Sequence, residues 1–127
     1  MRKVKLSLKN QARDRAGRNL LSSLIVYGEI ETTLPKAKFL KSKAEAFFAK
    51  LASIDNLSRI RLSKSVLYSP ADEKVHEIAF ESIRIFKLSH RFGDNAPMAR
   101  VVLKLKDDTA KDKKAENSKE KKTGGAK

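Results

Sequence analysis

Two histidines, His76 and His90, and the carboxylates Glu29 and Glu31 are the residues whose types could do chemistry, and neither group completes a catalytic constellation. The histidines fall in different predicted elements, no cysteine stands anywhere in the chain, and no HExxH spacing puts two imidazoles on one helix face. His76 reads as a surface residue on a helix. His90, next to Arg91, reads as an ordinary strand-end residue, with contact to a phosphate or a base as the alternative. Glu29 and Glu31 point to the same side of an extended segment, where a solvated edge or pairing with a nearby lysine explains them better than acid–base work. The glycines are few and scattered, Gly124-Gly125 lies near the C-terminal end, and no loop of the phosphate-cradling kind is present. The expectation is a protein that is not an enzyme and takes no cofactor and no metal.

Positive charge carries the signal instead. Lysine and arginine total 29 against 15 acidic residues, a formal charge of +14, which is beyond what solubility requires and points to a polyanionic partner. Arg2, Lys3, Lys5, Lys9, Arg13, Arg15 and Arg18 oppose a single acid, Asp14. The planar fork of arginine matches phosphate oxygens, and helical spacing lets several such side chains follow one backbone. A merely solvated helix face usually mixes both signs. Lys36, Lys38 and Lys41 belong to a second cationic flank, lying mainly off the apolar stripe of their helix. The lysines after Lys106 are mixed with Asp107, Asp108, Asp112, Glu116 and Glu120 and read as a solubilising appendage.

No helix-turn-helix, zinc-finger or basic-zipper pattern is visible, and the scarce aromatics fall mostly at core positions, which argues against stacking platforms for single strands. Recognition of the shape and backbone of a folded polyanion remains. No apolar run approaches the roughly 20 residues that span a bilayer. The basic N-terminus lacks an apolar signal core behind it, so a soluble, intracellular protein without membrane or small-molecule partners is expected.

These side chains need elements to position them. Residues 1–9 hold only Val4, Leu6 and Leu8 as branched apolar content and read as a basic arm that orders against a partner. Ala12, Ala16, Leu20, Leu21, Leu24 and Ile25 predict a helix from about Asn10 to Val26, stopped by Gly28. Within it Gly17 costs about 1 kcal/mol relative to alanine, which a close approach by another group would justify. Glu29 to Thr33 reads as a short strand turning into a helix, with the Thr33 hydroxyl as cap and Pro35 in the first turn. Leu40, Ala44, Phe47, Phe48 and Leu51 form its apolar stripe. Asp55 and Asn56 break that helix and cap a short one carrying Leu57, Ile60 and Leu67 inward and Arg59, Arg61 and Lys64 outward. Ser69-Pro70-Ala71-Asp72 opens a further helix, capped by Ser69 and running to about Ser82, with Val75, Ile78, Ala79 and Phe80 as its buried residues. From Ile83 the period becomes two, Gly93-Asp94-Asn95 is a turn, and Met98 to Lys106 alternates again, giving a hairpin with one cationic face. The fold expected is a two-layer α+β domain over residues 10–106, in α-β-α-α-α-β-β order, with a small three-stranded mixed sheet packed against helices. Residues 107–127 read as a disordered charged tail.

Three blocks of residues resemble a known family. Arg18-Asn19-Leu20 with Ser23-Leu24-Ile25, Ile30 with Thr32-Thr33 and Lys36-Ala37-Lys38, and Arg84-Ile85 through Lys87-Leu88, Arg91 and Gly93-Asp94-Asn95-Ala96-Pro97-Met98-Ala99 are similar to the bacterial large-subunit ribosomal protein L-seventeen family. They stand in the family's order from about Arg13 to Leu105, and the last block is specific. The chain departs from the pattern in a shorter basic N-terminal segment, in Tyr27-Gly28 where the family has a His-Glu pair, and in a shortened loop before Arg84. The resemblance implies the same order of elements and a cytoplasmic, non-catalytic constituent of the large ribosomal subunit. It implies binding to large-subunit rRNA near the exit-tunnel side, beside neighbouring ribosomal proteins. It carries RNA contacts onto Arg13, Arg18, Asn19, Lys36, Lys38, Arg84 and Arg91, and Asp94 is read as fixing the Gly93 turn rather than touching RNA. With the residues drawn from charge, the expected RNA-binding set is Arg2, Lys3, Lys5, Lys9, Arg13, Arg15, Arg18, Asn19, Lys36, Lys38, Lys41, Arg84, Lys87 and Arg91. Gly93, Asp94, Asn95 and Pro97 form the turn. A free DNA-binding architectural protein is the alternative that the same charge supports.

Overall fold

A computed structural model describes residues 6–106, so Arg2, Lys3, Lys5 and the expected tail lie outside the described residues. The elements follow in the expected order: α1 (Asn10–Tyr27), β1 (Glu29–Thr33), α2 (Leu34–Ser53), α3 (Asn56–Val66), α4 (Ala71–Lys74), β2 (Phe80–His90) and β3 (Pro97–Leu105). Gly28 ends α1 at φ 77°, a left-handed position that only glycine adopts cheaply, and its N–H returns to the Leu24 carbonyl at 2.9 Å. Its own carbonyl accepts from Leu103 N–H at 2.8 Å, so the residue that stops the helix also starts the sheet.

All three strands are antiparallel to their neighbours, in the order β1-β3-β2. The expected mixed sheet is therefore corrected: β1 and β2 run the same way but each pairs with the central β3, and a mixed sheet would have needed them side by side. Registers such as Ile30↔Val101 and Ile85↔Val101 put the apolar side chains of all three strands on one face. That face meets α1 and α2, and Leu21, Leu24, Leu40, Ala44, Ile83, Ala99 and Val101 form the centre of the core.

At α2 the predicted stripe of Leu40, Ala44, Phe47, Phe48 and Leu51 is buried throughout. Thr33 occupies the cap position, but its hydroxyl makes no capping bond. Pro35 stands at the second helical position and removes one of the two N–H groups that such a hydroxyl reaches. Asp55 does cap α3, accepting from Ser58 N–H at 3.3 Å; the Ser58 side chain first, and then that bond, hold its carboxyl below the ordinary range.

Two expectations fail in the second half. On α3 the inward row is Arg59, Ser63 and Val66, spaced by four and three residues, so Leu57 and Ile60 turn outward at 57% and 45% exposure while Leu67 is buried. Arg59, expected outward, folds back and donates from Nε to the Leu51 carbonyl at 2.6 Å, closing the end of α2. The helix opened at Pro70 stops at Lys74 instead of near Ser82, and Ser69 gives no side-chain cap. The sheet captures the residues that follow: Phe80 pairs with Leu105 and stacks on Phe48 at 4.1 Å with an interplanar angle of 5°. Val75 is buried as expected, Ile78 is half-buried and Ala79 is exposed. A register shift between Phe80 and Ser82 breaks the alternation, which hides the start of β2 from a period-two reading.

Candidate nucleic-acid interface

On α1 the apolar stripe faces the sheet and leaves Lys9, Arg15 and Asn19 exposed and Arg13 half-buried. Arg13 donates from Nη2 to Asn10 Oδ1 at 2.7 Å, one turn earlier. Arg18 is engaged within the fold. Its Nε donates to the Val66 carbonyl at 3.0 Å and its Nη2 to the Ser65 carbonyl at 2.6 Å, and its guanidinium lies 5.0 Å from the Tyr68 ring centroid. A cation placed at the carbonyl end of α3 answers both the orphan acceptors and the negative end of the helix dipole.

Gly17 is buried because Lys43 of α2 crosses it. A Cβ at position 17 would come within 2.7 Å of Lys43 Nζ and 2.8 Å of its Cδ. The same Nζ reaches the Asp14 carbonyl at 3.5 Å and its carboxylate at 3.7 Å. The basic turn of α1 and the basic flank of α2 thus adjoin. Lys36 shares a helical ridge with Lys43, seven residues on; Lys38 and Lys41 share another with Glu45, which pairs with Lys41 at 3.8 Å.

The hairpin residues are divided. Arg84 alternates with the buried Ile83 and so projects from the sheet face across from the helices, beside the half-exposed Phe86. Lys87 is exposed near the register shift that precedes His90. Arg91 is bound into the turn: its guanidinium forks onto Asp94 at 3.1 and 2.5 Å, and Asp94 also accepts from Ala96 N–H at 3.3 Å. The Arg91 hydrogen bond, then the Ala96 N–H, hold the Asp94 carboxyl at about 2, well below 3.8. Gly93 and Asn95 supply the positive φ angles of 100° and 52°, and Pro97 opens β3. On β1, Glu31 pairs with Arg100 at 2.7 Å, an arginine rather than the lysine expected.

The predicted set therefore separates into two kinds. Arg18, Arg91 and Lys41 are held by protein groups, whereas Lys9, Arg15, Lys36, Lys38, Arg84 and Lys87 form no ion pair with any acid among the described residues. Arg15 and the α2 lysines belong to adjoining helices; Arg84 lies across the sheet from them. Other chemistry is sparse. His76 lies in the turn after α4 rather than on a helix, and its Nε2 is 3.0 Å from Ser63 Oγ. That hydroxyl donates to the Ile60 carbonyl at 2.9 Å, which makes it the acceptor from His76. Among the described residues no three acidic or histidine side chains gather as a metal site, and no helix is long and apolar enough to cross a membrane.

Sequence reasoning missed the aromatic surface. Tyr27, Tyr68, Phe86 and Phe92 are exposed, contrary to the expectation that aromatics serve the core. The available signal was their position: Tyr27 and Tyr68 stand at helix ends, beside Gly28 and Ser69-Pro70, where no neighbouring turn covers a side chain.

Comparison with known proteins gives consistent results. The family model described as Ribosomal protein L17 matches residues 16–104, from the middle of α1 to the end of β3. The Large ribosomal subunit protein bL17 of Pelagibacter ubique (strain HTCC1062) is 33% identical over 139 aligned positions, covering 91% of this chain and 93% of that protein. With the predicted motif blocks standing at α1, at the β1–α2 junction and in the β2–β3 hairpin, and with the family match running through all three, the chain belongs to the ribosomal protein L17 family.

Proposed function

We propose that this protein is a non-catalytic structural constituent of the large ribosomal subunit in the cytoplasm, binding and stabilising folded large-subunit rRNA through its arm and helix faces. The observation that carries the reading is the set of exposed cations on adjoining helices, Arg15 on α1 with Lys36 and Lys38 on α2, that form no ion pair with an acid among the described residues, in a chain of formal charge +14. Family membership and the name of the Pelagibacter relative support the subunit assignment. The arm of residues 1–9, the domain of residues 10–106 and the tail of residues 107–127 divide the work: arm and domain contact rRNA, the tail solubilises. Neighbouring large-subunit proteins near the exit-tunnel side complete its surroundings. Asp94 and Arg91 shape the hairpin turn, and Arg84 and Lys87 offer a second contact on the sheet.

Sedimentation of a cell lysate through a gradient after a high-salt wash tests this reading. The protein is expected to remain with the large subunit in stoichiometric amount. Migration with DNA would overturn it in favour of an architectural protein, as would release to the top of the gradient.

A further inference from the structure

Between the end of α1 and the segment joining α3 to α4 lies a groove of about 280 Å³, lined among others by Asn19, Ser23, Tyr27, Tyr68 and Ser69. Its wall is held in place before any partner arrives. Tyr68 N–H donates to Ser22 Oγ at 3.0 Å, and Arg18 clamps the carbonyls of Ser65 and Val66 while lying over the Tyr68 ring. Two tyrosines remain exposed beside it, Tyr27 at 75% and Tyr68 at 42%, in a chain otherwise poor in aromatics. The groove opens on the helix that carries Arg15.

We propose that this groove receives one unpaired nucleotide of the bound RNA, its base stacked on the exposed tyrosines and its edge read by the Asn19 amide and the serine hydroxyls. The chemistry fits a base better than a phosphate. Tyrosine faces supply stacking to any base, and the carboxamide of asparagine offers both a donor and an acceptor to a base edge. Fixed placement of Tyr68 reduces the ordering cost of binding. The inference rests on the rRNA-binding reading above and adds to it a site that reads a base, where the helix cations track only the backbone.

The test uses the full chain and deproteinised large-subunit rRNA. Ultraviolet cross-linking followed by mass spectrometry is expected to place a nucleotide adduct on the Tyr27 or Tyr68 peptide. Tyr27→Leu, at a site too exposed to disturb the fold, is expected to weaken binding about tenfold, the size of one base stack. Its salt dependence stays that of the unsubstituted chain because every phosphate-neutralising cation is still in place, and Tyr27→Phe restores the affinity. Unaltered affinity of Tyr27→Leu, or adducts confined to other peptides, would overturn the groove while leaving the rRNA reading intact. Absence of salt-dependent rRNA binding by the unsubstituted chain would overturn that reading itself.

Discussion

Arg18 shows how a residue chosen for one partner can be occupied by another. Its type, helix and motif all point to RNA, yet the fork closes on two carbonyls 47 and 48 residues away, an interaction that no local pattern encodes. Gly17 is the converse case, since its cost in a helix signals a close approach and the approaching group is the Lys43 side chain. That side chain is flexible and its partners are distant, so Gly17→Ala is expected to displace it and gain up to about 1 kcal/mol of helix stability. Thermal denaturation should show a larger gain in a Lys43→Ala background, and a loss in both backgrounds would mean that the neighbour at position 17 is rigid backbone. Asp94 is legible in the sequence as the turn-former, and the structure gives its carboxyl a pH signature. Its folded value of about 2 lies below 3.8, so its contribution is complete above pH 3.8 and vanishes as pH falls through about 2. An NMR titration of the Asp94 carboxyl checks this, and a midpoint near 4 would show that Arg91 does not hold it in solution.

Among the elements, α1, β1, α2 and β3 are legible because each has one strong period and a plain stop signal. Leu40 is fully buried at the centre of the α2 stripe. Leu40→Ala is expected to cost about 3 kcal/mol and lower the melting temperature by roughly 10–20 °C. The ends of α2 and α3 at Ser53 and Val66 follow from local signals, whereas their closure by the Arg59 and Arg18 side chains does not, because those arginines reach the terminal carbonyls only in the folded chain. Arg18→Ala leaves the Ser65 and Val66 carbonyls without their donors and is expected to destabilise the fold by about 2 kcal/mol in chemical denaturation. Arg18→Lys recovers only part of this, since a single ammonium does not reproduce the fork. The overlong reading of α4 has a different origin: helix signals at Pro70 and Asp72 are local, whereas pairing of Phe80 with Leu105 and stacking on Phe48 are not.

At the scale of the whole molecule the charge sorts into a structural part and an available part. Replacing Arg15, Lys36 and Lys38 by alanine is expected to weaken rRNA binding and lower its salt slope by about one for each phosphate left without its cation, with the melting temperature nearly unchanged. An unaltered slope would move the RNA-binding face to Arg84 and Lys87, across the sheet. The sequence alone determined the class of the fold, the order of its elements, the excess of positive charge and the turn chemistry of the hairpin. Each of these follows from composition, from hydrophobic period or from short motifs, none of which requires distant groups to meet in space. Tertiary structure decided the antiparallel order β1-β3-β2, the end of α4, which arginines are tied to carbonyls or carboxylates, and the tyrosine groove beside α1. Those depend on groups far apart in the chain meeting in space, where burial and hydrogen bonding override local preference.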